Sequence, residues 1–374
     1  MYQLKVEPWQ EEGQWQEQIK SQVNTLEKLS QYITVTPDEE KAIKTLNVRW
    51  GTTPYYASLM DKNDPDCPIR KMVIPLMKEN ENKYGIPNYL VFKENREETD
   101  RFGEEGKRPD SVARQYDDRV AFTVTDVCAS YCRYCFRREV VIDQELDLRL
   151  DANEGLEWIQ KHEEIRDVVM TGGDPLMLSD ENIKYLIDSL RSITHLEIIR
   201  IHTKMPNTCP HRITKNLLEI LGGEHDIPIW LNVHINHPKE ITDKTKKVVW
   251  DLLHAGINVG NQGVVLKGIN DDVNTFQKLH QKLLSVRIRP YYMFYCQQAP
   301  GVDHFRAPIE KGAELIRDGL RGHTSGLAQP MYVVASNFGK IPLMPDYYIL
   351  EKGEKAYKLQ SYKKDITYSP NVPE

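Results

Sequence analysis

Thr125-Asp-Val-Cys128-Ala-Ser-Tyr-Cys132-Arg-Tyr-Cys135-Phe-Arg-Arg138 packs three cysteines into eight residues, directly after the apolar run Val120–Val124. The other three cysteines, Cys67, Cys209 and Cys296, stand alone and read as buried small hydrophobes. Six cysteines in 374 residues do not make a disulfide scaffold, so the clustered three need their own explanation. A structural zinc site wants four ligands, usually in two pairs. No second pair follows here, and His162 and Cys209 are distant and carry no spacing signature. The C-x3-C-x2-C spacing on a loop suits a [4Fe–4S] cube, with three irons held by protein and the fourth left open. Arg133, Arg137 and Arg138 surround the motif and favour thiolates and an anionic cluster. A zinc knuckle in a binding protein is the competing reading.

Outward from this loop, short apolar runs alternate with amphipathic stretches. The runs are Val120–Val124, Asp167–Thr171, Leu196–His202, Ile229–Ile235, Asn258–Leu266, Ile288–Phe294 and Met331–Val334. Helices are predicted between them at Asn153–His162, Asp180–Ser192, Thr214–Leu221, Glu240–Ala255, Asp272–Ser285 and Pro308–Leu320. Alternation of this kind implies a parallel sheet covered by helices. About six units are too few for a full eight-fold barrel, which leaves a partial (βα)6 barrel or a doubly wound sheet. Either architecture collects ligands beyond the carboxyl ends of its strands. The first 115 residues read as a charged helical extension, with helices over Glu11–Leu29 and Pro37–Leu46 and a polar linker at Asn95–Pro109.

Composition narrows the function classes. Lys and Arg number 49 against 55 Asp and Glu, a net charge of −6, so there is no basic footprint for nucleic acid. The apolar runs are too short to span a bilayer. The opening residues Met1–Trp9 show no basic-then-apolar pattern, so no secretory signal is expected and a cytoplasmic location is.

The cysteine spacing after the first strand of a partial barrel resembles the radical S-adenosylmethionine (SAM) signature. That resemblance implies that SAM chelates the open iron and is cleaved reductively to a 5′-deoxyadenosyl radical. Thr171-Gly172-Gly173-Asp174-Pro175 follows the second predicted strand. Paired glycines let a backbone come close to a ligand, and Asp174 can accept from an ammonium group. The stretch is similar to the superfamily's Gly-Gly-(Asp/Glu) motif, which holds the methionyl amine of SAM.

Most of residues 20–350 resembles the lysine 2,3-aminomutase family, which joins radical SAM chemistry to pyridoxal phosphate (PLP). The matching stretches are Thr53-Pro-Tyr-Tyr56, Tyr116-Asp-Asp-Arg-Val120, Trp230-Leu-Asn-Val-His-Ile-Asn-His-Pro238, Gly260-Asn-Gln262, Arg289-Pro-Tyr-Tyr292, His304-Phe-Arg306, Leu320-Arg-Gly-His-Thr-Ser-Gly326 and Gly339-Lys-Ile-Pro-Leu-Met-Pro345. The resemblance implies an α/β fold: a partial (βα)6 barrel over residues 116–350, preceded by the extension 1–115 and followed by a short segment 351–374. It makes Lys340 the PLP lysine and places Tyr116 and Arg119 against the PLP ring and phosphate, with Gln262 and Tyr291 nearby. His234 and Asn236 would lie near SAM, and Arg137 would grip the substrate α-carboxylate, as a planar guanidinium does well. The implied reaction moves an α-amino group to the β-carbon of a free amino acid.

The chain departs from the lysine-acting members at two places. They bury the substrate ammonium against two aspartates, where this chain has Cys296-Gln297 and Val334-Ala335. A buried ammonium without a counter-charge costs several kcal/mol. Gln297, Gln298 and Asn337 offer amide donors instead, so glutamate is the first candidate substrate, a neutral amino acid the second and lysine the alternative, with Asp303 as its shifted acid. The family's C-terminal zinc cysteines are also missing, with Asp272 in the place of one partner, so no zinc is expected. Partners expected from the resemblance are a flavodoxin- or ferredoxin-type electron donor and further copies of this chain, with the extension as the assembly surface. A radical SAM enzyme without PLP is the second enzyme reading.

Overall fold

In a computed structural model, residues 5–81, 85, 108–142, 150–336, 339–343, 349–353, 356–360 and 365–368 are described. Asn337 and residues 95–107 of the expected linker lie outside them.

Nine strands form one sheet in chain order. They are β1 (Val112–Tyr116), β2 (Arg119–Thr125), β3 (Asp167–Gly172), β4 (Ile198–Thr203), β5 (Ile229–Val233), β6 (Asn258–Val265), β7 (Arg289–Tyr295), β8 (Met331–Ser336) and β9 (Gly339–Pro342). Strands β2 to β8 run parallel, while β1 and β9 pair antiparallel at the two edges. Every predicted strand is present, and the alternation resolves in favour of the partial barrel. The sheet does not close by backbone pairing, but side chains cross the gap. Gln115 Nε2 donates to Ser336 O at 2.5 Å, and the backbone N–H of Lys340 donates to the Tyr116 hydroxyl at 2.9 Å.

The helices between strands start where their caps dictate. Ser179 Oγ accepts from Asn182 N, Thr214 Oγ1 from Leu217 N, Thr242 Oγ1 from Thr245 N and a carboxylate oxygen of Asp272 from Thr275 N. Asp272, read as standing in a zinc-cysteine position, is thus the cap of Val273–Ser285. The last predicted helix splits into Lys311–Leu315 and a π-turn, Ile316–Leu320.

Strand alternation sorts the residues. Val168, Met170, Ile199, Ile201, Leu231 and Val233 face the helices and form the main core. The opposite face of the same strands carries Asp167, Arg200, His202, Asn232 and His234, so the lumen is polar. A second core joins the N-terminal extension to loops at the carboxyl ends of the strands, with Tyr56, Met72 and Ile74 packing with Tyr134, Leu266, Cys296 and Phe305. The extension therefore packs its apolar residues on the barrel mouth. Residues 351–374, expected as a tail, contribute to a small antiparallel sheet of Ile349–Lys352, Tyr357–Gln360 and Asp365–Tyr368. No helix among the described residues is long and apolar enough to cross a membrane.

One ion cluster ties the extension to the cysteine loop. The Glu79 carboxylate accepts from Arg133 at 2.9 and 2.5 Å and from Arg138 at 2.7 Å, all three side chains being buried. Burial alone would raise the Glu79 pKa, but the two guanidiniums outweigh it and hold the carboxyl below its usual range. Glu79→Ala leaves two buried guanidiniums without their shared carboxylate and is expected to cost about 3–5 kcal/mol. The urea midpoint reads this directly, and a midpoint equal to wild type would contradict the clamp.

Candidate active site

The cysteine loop leaves the end of β2 and is held from both sides. From the extension, Tyr131 N donates to Gly51 O at 3.0 Å and Arg133 N to Met72 O at 2.9 Å. Gln22 Nε2 donates to Ala129 O at 2.9 Å, and Thr52 Oγ1 donates to Ser130 Oγ at 2.9 Å. From the sheet, Gly173 N donates to Thr125 O at 2.6 Å and Asp174 N to Val127 O at 2.8 Å. A Cβ at Gly173 would lie 2.3 Å from Val127 O, and one at Gly172, whose φ is +135°, 2.1 Å from Thr125 O. The two glycines thus dock the cysteine loop on β3, a backbone approach that the sequence reading had assigned to a ligand.

Cys128, Cys132 and Cys135 are partly exposed, free thiols on this loop. Burial drives the Cys135 thiol up to about 12 and the Cys128 thiol well above its usual range, and neighbouring cysteines of the motif add to both shifts. Three mutually repelling soft donors on one rigid loop fit a polynuclear cation that takes one thiolate per iron. The donor set therefore suits the [4Fe–4S] cube.

The remaining expected residues divide between two places. Beside Cys132 lie His234 and Asn236. His234 Nδ1 donates to Gln262 O at 2.7 Å, so its Nε2 accepts, with Tyr134 Oη and Asn236 Nδ2 each 3.1 Å away. Burial first, then the Lys204 charge, pulls His234 down to about 4, so the ring is neutral at physiological pH. Asp174 is buried and already engaged: it accepts from Leu176 N at 3.1 Å, Thr203 Oγ1 at 2.7 Å and Lys204 N at 2.7 Å. Its first visible role is to cap the turn after β3 and join it to β4.

At the sheet's open seam stand Lys340 and its neighbours. Lys340 Nζ lies 3.5 Å from the Tyr116 hydroxyl, with the Tyr116 and Tyr292 ring centroids at 5.0 and 5.7 Å. Arg119 covers the Tyr116 ring at 4.6 Å. Tyr291 packs on Tyr292 with centroids 4.0 Å apart. Arg137 sits between the two groups and donates to Gly172 O at 3.2 Å. Its buried Nε has no hydrogen-bond partner among the described residues, a vacant donor suited to a carboxylate.

Four residues here escaped the sequence reading. His202 is hydrogen-bonded to Asn232 at 3.2 Å and is held well below its usual pKa by burial and then by the charges of Arg200, Lys340 and Arg137. It joins the two halves of the site. Lys204, Tyr134 and Glu240 form a buried group against Cys132. The signal for His202 and Lys204 was their place at the carboxyl end of β4. Glu240 carried none, since it reads as an ordinary acid at a helix start. Gln297 follows β7 and is partly exposed, and Gln298 is exposed.

Gly173→Ala forces the loop off β3. After anaerobic reconstitution it is expected to retain only a small fraction of the wild-type iron and sulfide per chain, with an unchanged far-UV spectrum. Full iron loading would contradict the docking role.

The sequence and geometry agree with what the chain is similar to. The model of the radical SAM superfamily matches residues 122–279, and that of lysine-2,3-aminomutase matches residues 317–373. The chain is 39% identical over 361 residues to an L-lysine 2,3-aminomutase of Acetoanaerobium sticklandii, covering 94% of this chain and 83% of the relative. It is 39% identical over 378 residues to the L-lysine 2,3-aminomutase of Bacillus subtilis, covering 97% and 77%. It is 35% identical over 362 residues to the glutamate 2,3-aminomutase of Clostridioides difficile, covering 95% and 82%. The superfamily implies SAM and a [4Fe–4S] cluster, which the cysteine loop is built to accept. The chain belongs to the lysine 2,3-aminomutase family of radical SAM enzymes.

Proposed function

We propose that this protein is a PLP-dependent 2,3-aminomutase that moves the α-amino group of a free amino acid to its β-carbon, with glutamate as the first candidate substrate. The observation that carries the PLP reading is the placement of Lys340. Its amine stands at the lumen seam between Tyr116 and Tyr292, with Arg119 over the Tyr116 ring. An amine flanked by aromatic rings with a guanidinium beside them suits an aldehyde-bearing, phosphorylated aromatic ring. When bound, PLP supplies a sink that delocalises an unpaired electron next to the migrating nitrogen.

The chain's own residues divide the remaining work. Lys340 holds the cofactor through its amine and yields that position to the substrate amine. Tyr116 fixes the lysine backbone through its hydroxyl, so the β9 edge and the ring keep a set spacing. Arg137 directs its unpartnered Nε to the substrate α-carboxylate. His234, kept neutral, and Asn236 line the SAM side without adding charge, and Gly172, Gly173 and Gln262 supply backbone and amide groups there. Such placement aligns the reacting carbons and excludes water.

The substrate reading rests on charge. Ala335 stands opposite Lys340 in the β8–β9 pair and Val334 opposite Ile341, so no acid enters from that hairpin. Asp303, the alternative acid, is paired with Arg306 at 3.3 Å, and Arg306 also donates to the Tyr295 hydroxyl at 2.9 Å. An ammonium entering here would have to compete with that guanidinium. Gln297 remains as an amide donor for a side-chain carboxylate, together with Asn337 from outside the described residues. L-lysine is the second reading, favoured by the names of the relatives at 39% identity.

Anaerobic enzyme reconstituted with iron, sulfide, PLP, SAM and reductant, and offered glutamate and lysine in equal amounts, is expected to yield β-glutamate in excess. A dominant β-lysine product would overturn the substrate reading and leave the family intact. Lys340→Ala is expected to lose the visible absorption of covalently held PLP. Wild-type protein that takes up PLP without that absorption would defeat the PLP reading.

A further inference from the structure

Glu240 is fully buried at the turn after β5, and five donors converge on it. Its Oε2 accepts from Tyr56 Oη at 2.8 Å, Asn207 Nδ2 at 2.7 Å and Lys204 Nζ at 3.2 Å, while Oε1 accepts from Asn236 N at 2.7 Å and His237 N at 3.0 Å. Tyr56 comes from the extension, Asn207 and Lys204 follow β4, and Asn236 and His237 follow β5. Buried ion pairs of this kind are poor sources of stability, because desolvation cancels much of the attraction. The pair therefore invites a role beyond holding the fold.

The geometry of Lys204 supplies one. An ammonium has three N–H donors and no acceptor. One points to Glu240 at 3.2 Å and one to the Tyr134 hydroxyl at 3.3 Å. The third partner is the side chain of Cys132, to which Lys204 is hydrogen-bonded. Tyr134 cannot take over that task for every state of the site. Its single proton is shared between Cys132 and the lone pair of His234 Nε2 at 3.1 Å, and its oxygen already accepts from Asn236 Nδ2 at 2.7 Å and from Lys204.

We infer that Lys204, anchored by Glu240, is a positioning residue that donates a charge-assisted hydrogen bond to the Cys132 sulfur and thereby raises the reduction potential of the cluster. Adding an electron puts more negative charge on the thiolate sulfurs, and a cation with an N–H aimed at one of them stabilises the reduced state more than the oxidised one. SAM cleavage needs that reduced state. The inference rests on the cluster reading, whose own failure would appear as absent iron and sulfide rather than as an unchanged potential.

The test is an EPR-monitored redox titration of the reconstituted protein without SAM. Lys204→Met/Glu240→Gln removes both charges together and so leaves no buried ion unpaired. Its midpoint is expected to move to a more negative potential at wild-type iron content, whereas Lys204→Arg, which keeps the cation and its donors, stays nearer to wild type. A double variant with full iron and an unchanged midpoint would overturn the inference. So would a double variant that weakens SAM binding alone, because Lys204 would then serve the SAM carboxylate. A second measurement does not depend on the variant folding. In wild-type protein carrying lysine labelled with 15N at Nζ, pulsed EPR of the reduced cluster is expected to read a 15N hyperfine coupling. Its absence would equally overturn the assignment.

Discussion

Everything in this site depends on holding a short cysteine loop against the end of one strand. A loop of this length has no core of its own, so its conformation must be imposed from outside. Two devices impose it. Gly172 and Gly173 let the β3 turn approach Thr125 and Val127 at distances that no side chain would allow. On the other side, Glu79 draws in Arg133 and Arg138, while Gly51 and Met72 accept backbone hydrogen bonds from the loop. The loop is thereby pre-organised, and three thiols that would repel one another as thiolates are presented together.

The barrel supplies the second half of the design. Its strands turn an apolar face to the helices and a polar face to the lumen, and the missing pairing between β1 and β9 leaves a seam. Tyr116 and Lys340 bridge that seam. A closed eight-stranded barrel fills its interior with packed side chains. Here the open edge leaves the reactive lysine facing the lumen across from Arg137 and His202, whose ring feels both charges. Strand order alone brings the cluster side of the site, after β2 to β5, and the lysine side, at β9, to the same mouth.

Much of this was legible in the chain. The period-two apolar runs placed all seven parallel strands, because a buried parallel strand has few alternative patterns. The cysteine spacing and the Gly-Gly-Asp stretch carried the superfamily. Edge strands were not legible: β1 and β9 are short, partly exposed and polar, with burial patterns of BiBii and Biee. The roles of the extension and of Lys204, Glu240 and His202 escaped for a different reason. Each depends on contacts between residues far apart in sequence, as Tyr56 with Glu240 and Glu79 with Arg133 demonstrate. Asp174 shows the converse: its motif was plain, yet its carboxylate is engaged by three protein donors that no motif announces.

The central claim is that the pre-organised loop holds a cube with one iron left for SAM. Mössbauer spectroscopy of anaerobically reconstituted 57Fe protein, before and after SAM is added, tests it most directly. The account predicts a [4Fe–4S] cluster in which one iron site changes its parameters when SAM binds while the other three do not. Bound zinc without iron or sulfide, or a cluster whose four irons stay indifferent to SAM, would contradict it.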